Sequence, residues 1–115
     1  MKTLKSKKTG SLIAREISNI ILEDIKDPDI KFVTITSCDV SNDLSYAKVY
    51  FTCLNREYKD ISLEALNRAA NYIELELSKR IEIRKMPQIS FYYDTSIEYG
   101  EKIDAKLKEL KEEDR

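Results

Sequence analysis

Between residues 11 and 26 apolar side chains return at steps of three and four, through Ile13, Ile17, Ile20, Ile21 and Ile25. That spacing puts them on one face of a helix. Ser11 and Thr9 are candidate caps. A start near Ser6, running through Gly10 at some cost, is the alternative. Asp27–Pro28–Asp29 ends the helix, because a residue before proline is pushed out of helical geometry. Residues 32–40 and 44–53 are rich in β-branched and aromatic side chains and read as strands. The second alternates, with Ala47, Val49, Phe51 and Cys53 on one face and Tyr46, Lys48, Tyr50 and Thr52 on the other. Ser41–Asn42–Asp43 supplies turn chemistry between them, so a hairpin is predicted.

Helical spacing resumes over residues 60–84 through Leu66, Ala70, Ile73, Leu77 and Ile81, with Asp60 or Ser62 as the cap. Asn71 suits a helix interior poorly and tolerates a left-handed backbone, so a kink at Ala69–Ala70–Asn71 is expected. Pro87 separates this helix from a third strand over residues 88–94, with Ile89, Phe91 and Tyr93 on one face. Thr95–Ser96–Ile97–Glu98 matches a capping box, opening a C-terminal helix with Ile103, Leu107 and Leu110 inward. A helical crossover makes strands two and three parallel, with a right-handed connection. The expected class is α+β, in the order helix, strand, strand, helix, helix, strand, helix. Helices cover one face of a three-stranded mixed sheet, and the other face is wet.

The 115 residues are one domain's worth, over 1–115, with a basic, flexible start at 1–8 and a frayed end at 111–115. Apolar runs such as Ile20–Ile21–Leu22 are too short for a membrane span. The first lysines precede no apolar stretch, which argues against a secretory signal. Two cysteines and no histidine suit a reduced, cytoplasmic chain and cannot close a zinc site. No metal and no cofactor are expected. Net charge is −1, yet Lys2, Lys5, Lys7, Lys8 and Arg15 meet no acid within residues 1–15. Lys79, Arg80, Arg84 and Lys85 meet only Glu82 within 79–85. Such local patches argue for nucleic acid less directly than a basic whole chain does. Asp39, Asp43 and Asp94 read as turn and cap residues, and no catalysis is expected.

The stretch EDIKDPDIKFVTITSCDVSNDLSYAKVYFT (23–52) closely resembles the centre of the ribosome-binding factor A family. The resemblance continues through ALNRAANYI (65–73) and SKRIEIRKMPQISFYYDTSIEYGEKI (78–103), and begins with Ile13, Arg15, Glu16, Ile17 and Ile20. It covers about residues 8–107. It implies a KH-like type II fold in which an interhelical Ala-x-Gly kink replaces the Gly-x-x-Gly loop. It also implies binding to the small (30S) ribosomal subunit and its 16S rRNA, late maturation with processing of the RNA's 5′ end, and importance in the cold. The partner is then the subunit, with no membrane, and the free protein is a monomer. Two positions depart from the family pattern. Ala69–Ala70–Asn71 lacks the kink glycine, and Asp29 stands where the family commonly has a basic residue.

Several features carry two readings. Lys5, Lys7, Lys8 and Arg15 contact RNA phosphates or merely solubilise the chain start. Lys79, Arg80, Arg84 and Lys85 contact RNA or only complement a helix dipole. Asn67, Arg68 and Asn71 flank the kink where a KH domain passes a single strand; the alternative is close helix packing at Ala69 and Ala70. Tyr46, Lys48 and Tyr50 read first as half-exposed groups on a wet sheet face, and second as a surface for stacking bases. A protein-interaction module without direct RNA binding is the alternative function.

Overall fold

The computed structural model describes residues 2–30 and 32–96. Its elements are α1 (Leu4–Glu23), β1 (Val33–Val40), β2 (Tyr46–Cys53), a 3-10 turn (Arg56–Tyr58), α2 (Lys59–Arg80) and β3 (Gln88–Tyr93). The sheet order is β1-β2-β3. β1 and β2 form the antiparallel hairpin, and β2 and β3 run parallel across the α2 crossover. The α+β class and the mixed three-stranded sheet thus follow the sequence pattern.

Alternation on β2 explains the layering. Ala47, Val49 and Phe51 are buried beneath the helices. They meet Ile13, Ile17 and Ile20 of α1 and Leu66, Ile73 and Leu77 of α2 in one apolar cluster. Ile89 and Phe91 of β3 complete it. α1 lies against β1 and α2 against β3. No described element covers the opposite face, where Tyr46 and Lys48 are exposed.

Five expectations need correction. α1 begins at Leu4, ahead of the expected start at residue 11 and of the alternative near Ser6. Thr3, not Thr9 or Ser11, is the N-cap, and its hydroxyl oxygen accepts the Ser6 N–H at 3.1 Å. Asn42 of the hairpin turn holds this end, its Oδ1 accepting the Thr3 N–H at 3.0 Å and the Ser6 hydroxyl at 3.3 Å. Gly10 is tolerated mid-helix because α1 approaches β1 closely there: a Cβ would lie 2.5 Å from the Cys38 carbonyl oxygen.

Asp60 and Ser62 do not cap α2. Asp60 lies in the first turn, and buried Ser62 donates to the Asp29 carbonyl at 2.9 Å. No kink with a left-handed residue interrupts the helix. α2 is one continuous helix across Ala69, Ala70 and Asn71, and Leu44 (φ 61°) is the sole described non-glycine residue with positive φ. Asn71 is exposed, so water solvates its amide and removes the reason to break the helix. α2 also stops earlier than residue 84. Ile81 turns extended (φ −126°, ψ 143°) and buries its side chain, which leaves Arg84 and Lys85 in the link to β3. The expected C-terminal helix over residues 97–110 lies outside the described residues.

Candidate nucleic-acid interface

Three chain segments meet at the N-terminal end of α1. Lys5 and Thr9 come from α1, Asp43 and Leu44 from the hairpin turn, and Glu82, Ile83, Arg84 and Lys85 from the link before β3. They line a cleft of about 420 Å³. A second, shallower groove follows the same helix past Lys7, Lys8, Ser11, Leu12 and Arg15. Lys5, Lys8 and Arg15 fall at helical spacing and form one basic ridge. Lys5, Lys7, Lys8, Arg84 and Lys85 make no ion pair with described residues. Among the described residues Arg15 pairs only with its neighbour Glu16, at 3.8 Å.

The turn that faces this cleft is built by its own carboxylate. Asp43 accepts the Ser41 hydroxyl at 2.7 Å and the Ser45 N–H at 3.1 Å. These bonds hold its carboxyl below the usual carboxylate range. They also support Leu44 in its left-handed conformation, with the Leu44 N–H on the Ser41 carbonyl at 2.9 Å. Lys2 is spent on the same anchor: its Nζ donates to the Val40 carbonyl at 3.0 Å and meets Asp39 at 3.2 Å.

The other predicted cations are placed differently. Arg80 lies between α2 and the C-terminal half of α1, with Asp24 at 2.9 Å, Glu23 at 3.3 Å and Glu16 at 4.0 Å. Its side chain is only 24% exposed. Burial alone would lower its pKa; the Glu23 hydrogen bond and the three carboxylates outweigh that and raise it. Lys79 pairs with Glu76 one turn back, at 3.2 Å. Arg68 reaches Asp27 at 3.7 Å and Asp29 at 3.8 Å. Asn67 and Asn71 are exposed beside it, while Ala69 and Ala70 pack against the core. This group sits by the loop that leaves the far end of α1, a helix about 30 Å long. The eleven expected contact residues therefore divide, and only the Lys5–Arg15 ridge with Arg84 and Lys85 forms one open basic surface.

Sequence reasoning missed Thr3 as anchor and Arg80 as a clamp. The Thr3-x-x-Ser6 start was there to be read, but the lysines that follow carry no apolar period. No group of three metal-ligating side chains exists among the described residues, and no described helix is long and apolar enough to cross a membrane.

The family model for ribosome-binding factor A matches residues 5–107. The chain belongs to the ribosome-binding factor A family. It is 39% identical to ribosome-binding factor A of Staphylococcus epidermidis over 116 aligned positions, covering 100% of both chains. It is 45% identical to that of Desulfitobacterium hafniense, covering 96% of this chain and 89% of the relative. A solution structure of a Thermotoga maritima protein, a putative ribosome-binding factor A, superposes with a TM-score of 0.62 at 27% identity, covering 82% of this chain and 94% of that one. The fold is shared with a homology model of Thermus thermophilus ribosome-binding factor A fitted into the cryo-EM map of a 30S complex, with a TM-score of 0.64 at 23% identity, covering 75% of this chain and 91% of that one.

Proposed function

We propose that this protein is a ribosome-assembly factor that binds the small (30S) subunit through 16S rRNA, and that the Lys5–Arg15 ridge with Arg84 and Lys85 makes the contact. One observation carries the reading. Cations from two segments almost eighty residues apart are gathered on one surface without ion-pair partners among the described residues. Charges that serve the fold alone find partners, as Arg80 and Arg68 do. A Thermus thermophilus member of the family has been placed in a complex with the 30S subunit. The role is one of binding and timing: the factor acts as a monomer in the cytoplasm, assists late maturation and 5′-end processing of 16S rRNA, matters most in the cold, and performs no chemistry itself.

Cosedimentation with small subunits on sucrose gradients tests this. Lys5→Glu, Lys8→Glu, Arg84→Glu and Lys85→Glu combined should abolish cosedimentation while the circular-dichroism melt stays in place. Wild-type affinity should fall steeply with salt, with a logarithmic slope of about −0.7 to −0.9 per phosphate contacted. Unchanged cosedimentation in the combined variant overturns the surface. A shallow salt slope points instead to a protein partner.

A further inference from the structure

The face of the sheet that no described element covers carries an aromatic cluster that the basic surface does not explain. The β2–β3 register sets Tyr46 beside Gln88, Lys48 beside Ser90 and Tyr50 beside Tyr92. The Tyr50 and Tyr92 rings lie 5.9 Å apart at 35°. Lys48 Nζ sits 5.8 Å from the Tyr92 ring centroid. Tyr46 is 61% exposed and Tyr92 44% exposed. Three tyrosines and a lysine thus share one open surface on adjacent parallel strands. Cross-strand pairing accounts for the Tyr50–Tyr92 contact, but it does not account for the exposed ring of Tyr46, whose neighbour on β3 is Gln88.

Charge selects the occupant. Asp39 is the cross-strand neighbour of Lys48, and Lys2 already meets its carboxylate at 3.2 Å. Lys48 is therefore left to the aromatic surface. At the Tyr46 end, Gln88 follows Arg84 and Lys85 after two residues, so the link that carries these two cations leads directly into the platform strand. At the other end, Asp94 holds the Thr36 hydroxyl at 2.6 Å, and its carboxyl is kept below its usual range by hydrogen bonds from Ser96 and Thr36. A polyanion is attracted at one end and repelled at the other. From Tyr46 to Tyr50 the strand rises about 13 Å, a span suited to about two or three bases splayed on a sheet.

The geometry points to this face as a stacking platform for unpaired bases of an RNA strand whose phosphates lie along Arg84 and Lys85. The inference rests on the proposed RNA-binding role and extends it to a second surface. Rings supply stacking to any base, and Lys48 adds charge beside them.

The test uses the full chain and fluorescein-labelled twelve-residue oligouridylate and oligoadenylate, read by anisotropy at low salt, with subunit cosedimentation measured in parallel. Tyr46→Ala with Tyr92→Ala should weaken oligonucleotide binding by about tenfold or more. Tyr46→Phe with Tyr92→Phe should restore it, since stacking needs the ring and not the hydroxyl. The salt slope should be the same in wild type and the alanine variant, because no phosphate contact is removed. Both residues are exposed, and a coincident thermal melt checks the fold. Wild-type affinity in the alanine variant overturns the platform. So does equal loss in the phenylalanine variant. Loss of cosedimentation with unchanged oligonucleotide affinity means the face takes a protein, and also overturns it. A wild-type chain that binds oligonucleotides through these tyrosines but ignores the subunit leaves the platform standing and sinks the ribosomal reading.

Discussion

Arg80 and Arg84 stand four residues apart and do opposite work. Arg80 is enclosed by Glu16, Glu23 and Asp24 and joins the ends of two helices. Arg84 lies in the link beyond α2, beside Lys85 and across a cleft from Lys5, with no ion-pair partner among the described residues. The switch between them is Ile81, which leaves the helix to bury its side chain and turns the following cations toward the N-terminal end of α1. A run of positive charge in a sequence is thus two populations. One neutralises the fold's own carboxylates, and the other is offered outward. The same division separates Arg68, held by Asp27 and Asp29, from Lys8 on the open ridge.

The sharpest way to break this comparison is to reverse each charge in turn. Arg80→Glu adds a fourth carboxylate to a cluster of three, so the melting temperature should drop by several degrees. Arg84→Glu should leave the melt within about 0.5 kcal/mol of wild type and weaken subunit binding. If both variants keep full stability, the clamp has no structural role. Gly10→Ala comes next. Helix propensity alone favours alanine by about 1 kcal/mol. The Cβ would meet the Cys38 carbonyl oxygen at 2.5 Å, so the close approach must open. A net loss of about 1–2 kcal/mol is expected in denaturant titration; a gain would mean α1 shifts freely on β1.

Smaller effects sharpen the contrast on α2. Asn71 lies in ordinary helix, so Asn71→Ala should stabilise by about 0.5 kcal/mol and Asn71→Gly should cost about 0.3 kcal/mol. Stabilisation by glycine would restore the left-handed kink. The smallest effect concerns Asp43. Its folded pKa is depressed by the Ser41 and Ser45 hydrogen bonds, so its contribution is present above the unfolded carboxylate value and fades as pH falls through the folded one. The stability gap between wild type and Asp43→Ala should therefore be seen at pH 7 and close under acid, in melts across a pH series.

Much of the architecture was legible because it is written in local period. The alternation of β2 assigned every side chain from Tyr46 to Cys53 to its face, and the helical spacing of Ile13, Ile17 and Ile20 located the face α1 buries. Helix ends were less readable. Leu4 to Lys8 carries no apolar period, so the first turn was visible only through the hairpin residue Asn42 that holds it. At α2, the apolar spacing ran on to Ile81 although that side chain is buried from an extended backbone. The interface was half legible. Its cations stood out, but the carboxylates that claim Arg80 lie more than fifty residues away in sequence. The pairing of Tyr50 with Tyr92 likewise depends on a parallel register set by the whole crossover.

The close passage of α1 over β1 also protects a thiol. Cys38 is paired with Val49 on the inner side of β1, and burial, with the Asp39 charge adding to it, pushes its pKa up to about 12. At neutral pH it is an unreactive thiol until the helix lifts. In a Cys53→Ser chain, alkylation of Cys38 becomes a clock for that opening. Its slowing on addition of small subunits would time how firmly a bound partner presses the first helix onto the sheet.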